Sequence, residues 1–214
     1  MKKVHFIGIG GIGISAIARF LKERDFIISG SDIADSAITK ELRASGMKIT
    51  VPHCKTAIED PDFVVYSAAI QSDNVELIEA RKRGIECLSR KEALPFILEG
   101  KRVFAVAGAH GKSTTSAMLA SLMEGSAIIG AISKEFGSNM KYEASDNLIF
   151  EADESDSSFL NSNPFLAIVT NAEPEHMEHY DNDIEKFHAA YKQREDKELY
   201  SGSKEENGGW PCTP

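Results

Sequence analysis

The chain has 214 residues, 42% of them apolar and 27% charged, with 24 basic and 33 acidic side chains and a net charge of −9. That balance suits an ordinary globular chain with a sizeable core and argues against a nucleic-acid binder, which needs a basic face. No apolar run reaches the roughly 18 residues of a membrane helix, and Cys54, Cys87 and Cys212 lack the C-x-x-C spacing of a zinc site or disulfide frame.

In chain order, "VHFIGIG" (residues 4–10) reads as a buried strand. Ile12–Glu23 reads as a helix, with Ile14, Ile17, Ala18 and Leu21 on one face. Strands are expected at 26–30, 63–69 and 85–89, and helices at 36–46 and 74–84, closed by Gly46 and Gly84. This alternation gives a parallel sheet with right-handed crossovers. A polar joint at Leu98–Lys101 separates a second α/β unit. There the pattern predicts a strand at 102–108, a helix over Thr114–Met123, strands at 127–132, 147–153 and 165–171, and a charged helix at 183–200. Residues 201–214 lack periodicity and are expected to be irregular. The basic start "MKK" is not read as a signal peptide, because glycines break the apolar stretch and charges follow at once; the chain is expected to be cytoplasmic.

Two glycine-rich turns carry the chemistry. The first, Gly8-x-Gly10-Gly11-x-Gly13, lies between a strand and a helix. Glycine there lets backbone approach a pyrophosphate at a helix N-terminus. Nineteen residues past Gly13, at the end of the second strand, stands Asp32, where an acid commonly meets a ribose hydroxyl. A dinucleotide and a UDP-sugar both fit this pattern. The second turn, "GAHGKST" at residues 108–114, is a shortened relative of the phosphate loop, with Val106 where that loop has its first glycine. Backbone N–H groups of Gly111 to Thr114 would cradle phosphate, Lys112 would neutralise it, and Ser113 or Thr114 would reach Mg²⁺.

Glu151 is the first acid after a predicted strand and falls on the phosphate-loop side of its sheet, which suits a hard metal ligand. Asp153, Glu154 and Asp156 read as a solvated turn, and His5, His53, His179 and His188 as structural. His176 has Glu173 and Glu175 nearby; by spacing alone it also reads as structural, with metal binding as the other reading.

The ordered set "HFIGIGGIGISAIA", "SGSD", "YSAAI", "GAHGKST", "EADESDSSFL" and "TNAEPEHMEHY" resembles the Mur ligase family over about residues 1–195. The resemblance implies an N-terminal Rossmann-like parallel-sheet domain (1–98), a partial P-loop-type α/β central domain (99–198) and an irregular tail (199–214). It implies an ATP-dependent, Mg²⁺-requiring ligase that joins L-alanine to the lactyl carboxylate of UDP-N-acetylmuramate through an acyl phosphate. Gly10, Gly11, Ile12, Gly13, Asp32, Ser67, Ala68 and Arg90 would line the UDP site. Gly108, Ala109, His110, Gly111, Lys112, Ser113 and Thr114 would bind ATP, with Ser113, Glu151 and His176 as metal ligands; Lys112, His110, Glu151 and His176 would carry catalysis. Other readings are a tripeptide-adding ligase of the same family, a UDP-sugar-binding fragment, and an NAD-dependent oxidoreductase. The second loop speaks against the last. The sequence departs from the family at Ala109 and Ser113, where Thr is usual, and at Glu175, where Asp is usual. Related ligases run to roughly twice this length, so the chain is expected to be a part that does not turn over alone. Its partners would be small-molecule substrates, with no nucleic acid and no membrane insertion; an incomplete sheet edge makes a homodimer an option.

Overall fold

The computed structural model describes residues 1–152, 162–171, 173, 183 and 199–201. The first sheet contains β1 (Lys3–Ile7), β2 (Ile27–Ser31), β3 (Lys48–Thr50), β4 (Phe63–Tyr66) and β5 (Glu86–Ser89), all parallel, in the order β3-β2-β1-β4-β5. The crossovers carry α1 (Ile12–Glu23), α2 (Ala37–Ala44) and α3 (Val75–Lys82), and α4 (Arg90–Ile97) follows β5. The chain moves outward from β1 to β2 and β3, then returns to pair β4 on the other side of β1. That reversal opens a crevice at the carboxyl ends of β1 and β4, where α/β sheets bind ligands.

The second sheet contains β6 (Arg102–Ala107), β7 (Ser126–Ile128), β8 (Met140–Lys141), β9 (Asn147–Glu151), β10 (Leu166–Val169) and β11 (Leu199–Ser201), in the order β11-β10-β6-β9-β7-β8. Its pairs are parallel except the antiparallel β7–β8 edge. Helix α5 (Lys112–Leu122) follows β6. Strand β6 lies between β9 and β10, so a second crevice opens at its carboxyl end.

Helix caps divide into two kinds. Ser36 and Ser89 open α2 and α4 with capping boxes completed by Thr39 and Glu92, and the Asn74 side chain caps α3. Helices α1 and α5 begin at Gly11 and Gly111 without a side-chain cap. These are the two helices that follow the glycine-rich turns. Their first-turn N–H groups point into the crevices and carry the positive end of the helix dipole.

The expected apolar face of α1 is buried: Ile14, Ile17, Ala18 and Leu21 are each at most 2% exposed. They belong to one apolar cluster that continues through Leu94 and Ile97 of α4 to Val103, Ile128, Leu148 and Phe150 of the second sheet. The two sheets therefore share a core, and α1 sits between them. Several sequence expectations shift. The strand expected at 127–132 ends at Ile128, because the Gly130 N–H turns away to the Glu151 carboxylate. Helix α5 starts at Lys112 rather than Thr114, since Gly111 in the left-handed region (φ +83°) caps it two residues earlier. Leu199 and Tyr200, expected at the end of a helix, lie with Ser201 in β11, paired to β10; residues 199–201 are thus not irregular tail. Residues 184–198 and 202–214 lie outside the described residues.

Candidate functional site

The first turn is built by the end of β2. Ser31 O accepts from the N–H groups of Gly8 (2.9 Å) and Ile9 (3.0 Å), and Asp32 Oδ2 accepts from the Gly10 N–H at 2.7 Å. The other Asp32 oxygen accepts from the Ile33 N–H at 2.8 Å. The acid expected to meet a ribose thus also holds the turn in shape. Gly8 has φ +80°, and a Cβ there would stand 3.0 Å from Ser67 Cβ, so only glycine fits. Ser67 and Ala68 directly follow β4 and face the turn from the far side of β1. Arg90, the first residue of α4, reaches over Gly13, where any side chain would run into its guanidinium. Gly10, Gly11, Ile12, Gly13, Asp32, Ser67, Ala68 and Arg90 therefore gather at one sheet edge.

The second turn is built differently. The Gly108 backbone (φ +122°) packs against the end of β10, where an added Cβ would stand 2.7 Å from the Asn171 carbonyl oxygen. Thr170 Oγ1 lies 2.6 Å from His110 O, and Asn171 clamps both backbone groups of His110: its Nδ2 donates to His110 O at 2.9 Å and its Oδ1 accepts from the His110 N–H at 3.3 Å. Lys112 Nζ donates to the loop carbonyls of Gly108 (2.6 Å) and Ala109 (3.1 Å). Ser113 Oγ donates to Glu151 Oε1 at 2.9 Å, while Glu151 Oε2 accepts from the Gly130 N–H at 2.8 Å. His110 Nε2 lies 3.7 Å from Glu173 Oε2, with both side chains largely exposed. A groove of about 260 Å³ runs beside α5, lined by Ser113, Thr114 and Met118 on one wall and Ile129, Ile132 and Lys134 on the other.

The donor set at this turn fits a magnesium-bound phosphate. Ser113 and Glu151 bring two hard oxygens within hydrogen-bonding distance of each other at the mouth of the glycine cradle. Magnesium is commonly held by one or two such protein oxygens, with phosphates and waters completing its shell. Among the described residues no group of three or more His, Cys, Asp or Glu side chains could hold a metal ion. His176, Asp153, Glu154, Asp156, Glu175, His179 and His188 lie outside the described residues.

Beneath the first turn sits a buried polar network centred on Glu76, which is 0% exposed. His5 Nε2 lies 2.9 Å from Glu76 Oε2, and the Ser31 hydroxyl donates to the same oxygen at 2.6 Å. The Cys54 N–H donates to Oε1 at 2.7 Å, and His53 Nδ1 is 2.7 Å from Ser31 Oγ. Burial pushes the Glu76 carboxyl up, but His5, Ser31 and the Cys54 N–H together outweigh it and hold the group below the ordinary glutamate value. His5 and His53 are structural, as the sequence suggested. Sequence reading missed Glu76, Asn139, Thr170 and Asn171. The "TN" pair closing a strand was a usable signal for the last two; Glu76 and Asn139 carry none locally.

Comparison with known proteins meets this geometry. The profile described as "Mur ligase family, catalytic domain" matches residues 3–102. A UDP-N-acetylmuramate–L-alanine ligase of Campylobacter curvus is 77% identical over 192 residues, covering 90% of this chain and 44% of the relative. The solved UDP-N-acetylmuramate-alanine ligase of Thermotoga maritima superposes with a TM-score of 0.86 at 31% identity, covering 94% of this chain and 48% of that one. On these matches the chain is similar to the Mur ligase family. Within that family the similarity is to the alanine-adding ligases, and the chain spans less than half the length of the curated relatives it matches. The UDP-N-acetylmuramate:L-alanyl-gamma-D-glutamyl-meso-diaminopimelate ligase of Neisseria meningitides shares the fold more distantly, with a TM-score of 0.81 and 25% identity over 89% of this chain and 66% of that one.

Proposed function

We propose that this chain carries the two nucleotide-binding turns of an ATP-dependent ligase that joins L-alanine to the lactyl carboxylate of UDP-N-acetylmuramate. The observation that carries this reading is the pairing of two uncapped helices, α1 and α5, each behind a glycine turn at a sheet switch point. One binding turn would serve a uridine diphosphate; a second, with Lys112, Ser113 and Glu151, would serve ATP. The high identity to named alanine ligases favours L-alanine over the tripeptide. A dehydrogenase would have no use for the second turn.

In the proposed reaction the substrate carboxylate attacks the γ-phosphorus of ATP, the bond to the β-γ bridging oxygen breaks, and ADP leaves. The alanine amine then adds to the acyl phosphate carbonyl, phosphate departs and the amine proton is released. Magnesium, when bound, would neutralise phosphate charge. The chain's own contribution is positional and electrostatic. Lys112 would exchange its two loop carbonyls for phosphate oxygens, and the first-turn N–H groups of α5 would face the same anion. Thr170 and Asn171 fix the His110 backbone, so the cradle keeps its shape as charge develops.

Calorimetric titration with UDP-N-acetylmuramate, UDP and NAD, followed by MgATP, tests the reading. Uridine ligands should bind without a response to NAD, and MgATP binding should weaken by at least about tenfold in Lys112→Ala. Binding of NAD in place of the uridine ligands would overturn it.

A further inference from the structure

We infer that Asn139 is a positioning residue that links the two turns, so that a magnesium-nucleotide on the second turn changes the affinity of the first for a uridine diphosphate. The inference rests on the two-nucleotide reading above. Residues of the segment 129–139, from Ile129 to Glu135, line one wall of the groove beside α5. This segment closes on itself: the Ile129 N–H donates to Asn139 O, the Ser133 N–H to Ser138 O, and the Gly137 N–H to Ser133 O, each at 2.9 Å. One end is tied to the second turn, because the Gly130 N–H donates to Glu151, whose other oxygen accepts from Ser113. The other end is tied to the first turn. Asn139 Nδ2 donates to Ile12 O at 2.6 Å and to Ser15 Oγ at 2.8 Å, both in the opening turn of α1.

The chemistry at this joint is more specific than packing requires. Asn139 is 1% exposed, both its amide protons are used, and its Oδ1 is buried with no hydrogen-bond partner. Burying an unpaired carbonyl costs free energy that an apolar residue would avoid. The surrounding apolar cluster already joins α1 to Ile128 and Leu148, so packing alone would not need an amide. The other end of the segment is held by Glu151, a group that a cation on the second turn would engage. A cation that takes Ser113 Oγ and Glu151 Oε1 would draw both oxygens toward itself and strain the hydrogen bond they now share. The Glu151 carboxylate then turns, and the Gly130 N–H that it holds turns with it. Residues 129–139 carry that change to Ile12, whose helix end faces the first ligand. Coupling of this kind is reciprocal in binding free energy.

The test measures calorimetric affinities for UDP and for magnesium with a non-hydrolysable ATP analogue. Each is measured alone and in the saturating presence of the other. Wild-type affinities should change by the same factor in both directions, about fivefold or more. In Asn139→Ala that factor should fall to about one, with each ligand alone bound within about threefold of wild type. Asn139→Asp keeps the volume and loses the donor, so it should abolish coupling too and decides the matter if the alanine variant melts. Ser15→Ala, which removes one of the two acceptors, should give an intermediate factor. A merely structural role would lower the melting temperature and leave the coupling factor unchanged. Persistence of coupling in both Asn139 variants overturns the inference, as does a wild-type factor of one with both ligands bound. Failure of wild type to bind one of the two ligands instead removes the two-nucleotide reading, and the inference with it.

Discussion

The two glycine turns occupy equivalent places in two parallel sheets, yet they are braced by opposite means. The first is held from its own neighbouring strand by backbone and carboxylate acceptors, with Ser31 O and Asp32 taking the N–H groups of Gly8, Ile9 and Gly10. Its support is buried, down to Glu76. The second is held by side chains from the end of β10, and its Lys112 and Ser113 side chains are spent on bonds that, on the proposed function, a phosphate and a cation would replace. The first turn is a fixed template; the second is a set of exchangeable contacts. On the proposed function, this would suit a uridine diphosphate that is only held and an ATP whose phosphate moves.

The contrast can be broken at several points. The largest stability effect belongs to the support of the first turn. Glu76→Ala leaves His5, Ser31 and the Cys54 N–H without their shared acceptor, and should cost about 3–5 kcal/mol in denaturant unfolding. The Glu76 pKa is lowered in the fold, so its contribution is fully present above the unfolded value of about 4.3 and is lost as pH falls through the folded value. Glu76→Gln should therefore flatten the acid side of the stability–pH curve below about pH 4.3. Next comes Gly108→Ala, which forces a Cβ onto Thr170 and Asn171 at a positive φ; a loss of about 2–3 kcal/mol is expected from thermal melts. Asp32→Ala orphans the Gly10 and Ile33 N–H groups and should cost about 1–2 kcal/mol, while weakening UDP binding. Lys112→Ala should be the smallest in stability, within about 0.5 kcal/mol. It should nonetheless weaken MgATP by at least about tenfold in calorimetry, since a charged hydrogen bond is lost.

Much of the scaffold was legible because buried parallel strands read as continuous apolar runs between glycine punctuation. Helix α1 was read at its observed bounds from four apolar residues on one face. Strands β3 and β8 were missed because they are short edge strands of three and two residues, too short to show alternation. The turn residues were legible because glycine, lysine and serine act locally there. Asn139 was not, because its partners Ile12 and Ser15 lie 127 and 124 residues away and no local pattern marks an amide that ties the segment before β8 to helix α1. Glu76 was hidden for the same reason: it stands in the first turn of an ordinary-looking helix, and its buried partner His5 is 71 residues earlier.

The most direct measurement is amide hydrogen exchange on this chain with UDP-N-acetylmuramate and with magnesium and a non-hydrolysable ATP analogue, each added separately. The two-site account predicts protection centred on residues 8–13 with the first ligand and on 108–114 with the second. Protection centred on one and the same turn with both ligands, or of residues 8–13 by NAD in place of the uridine ligand, would contradict it.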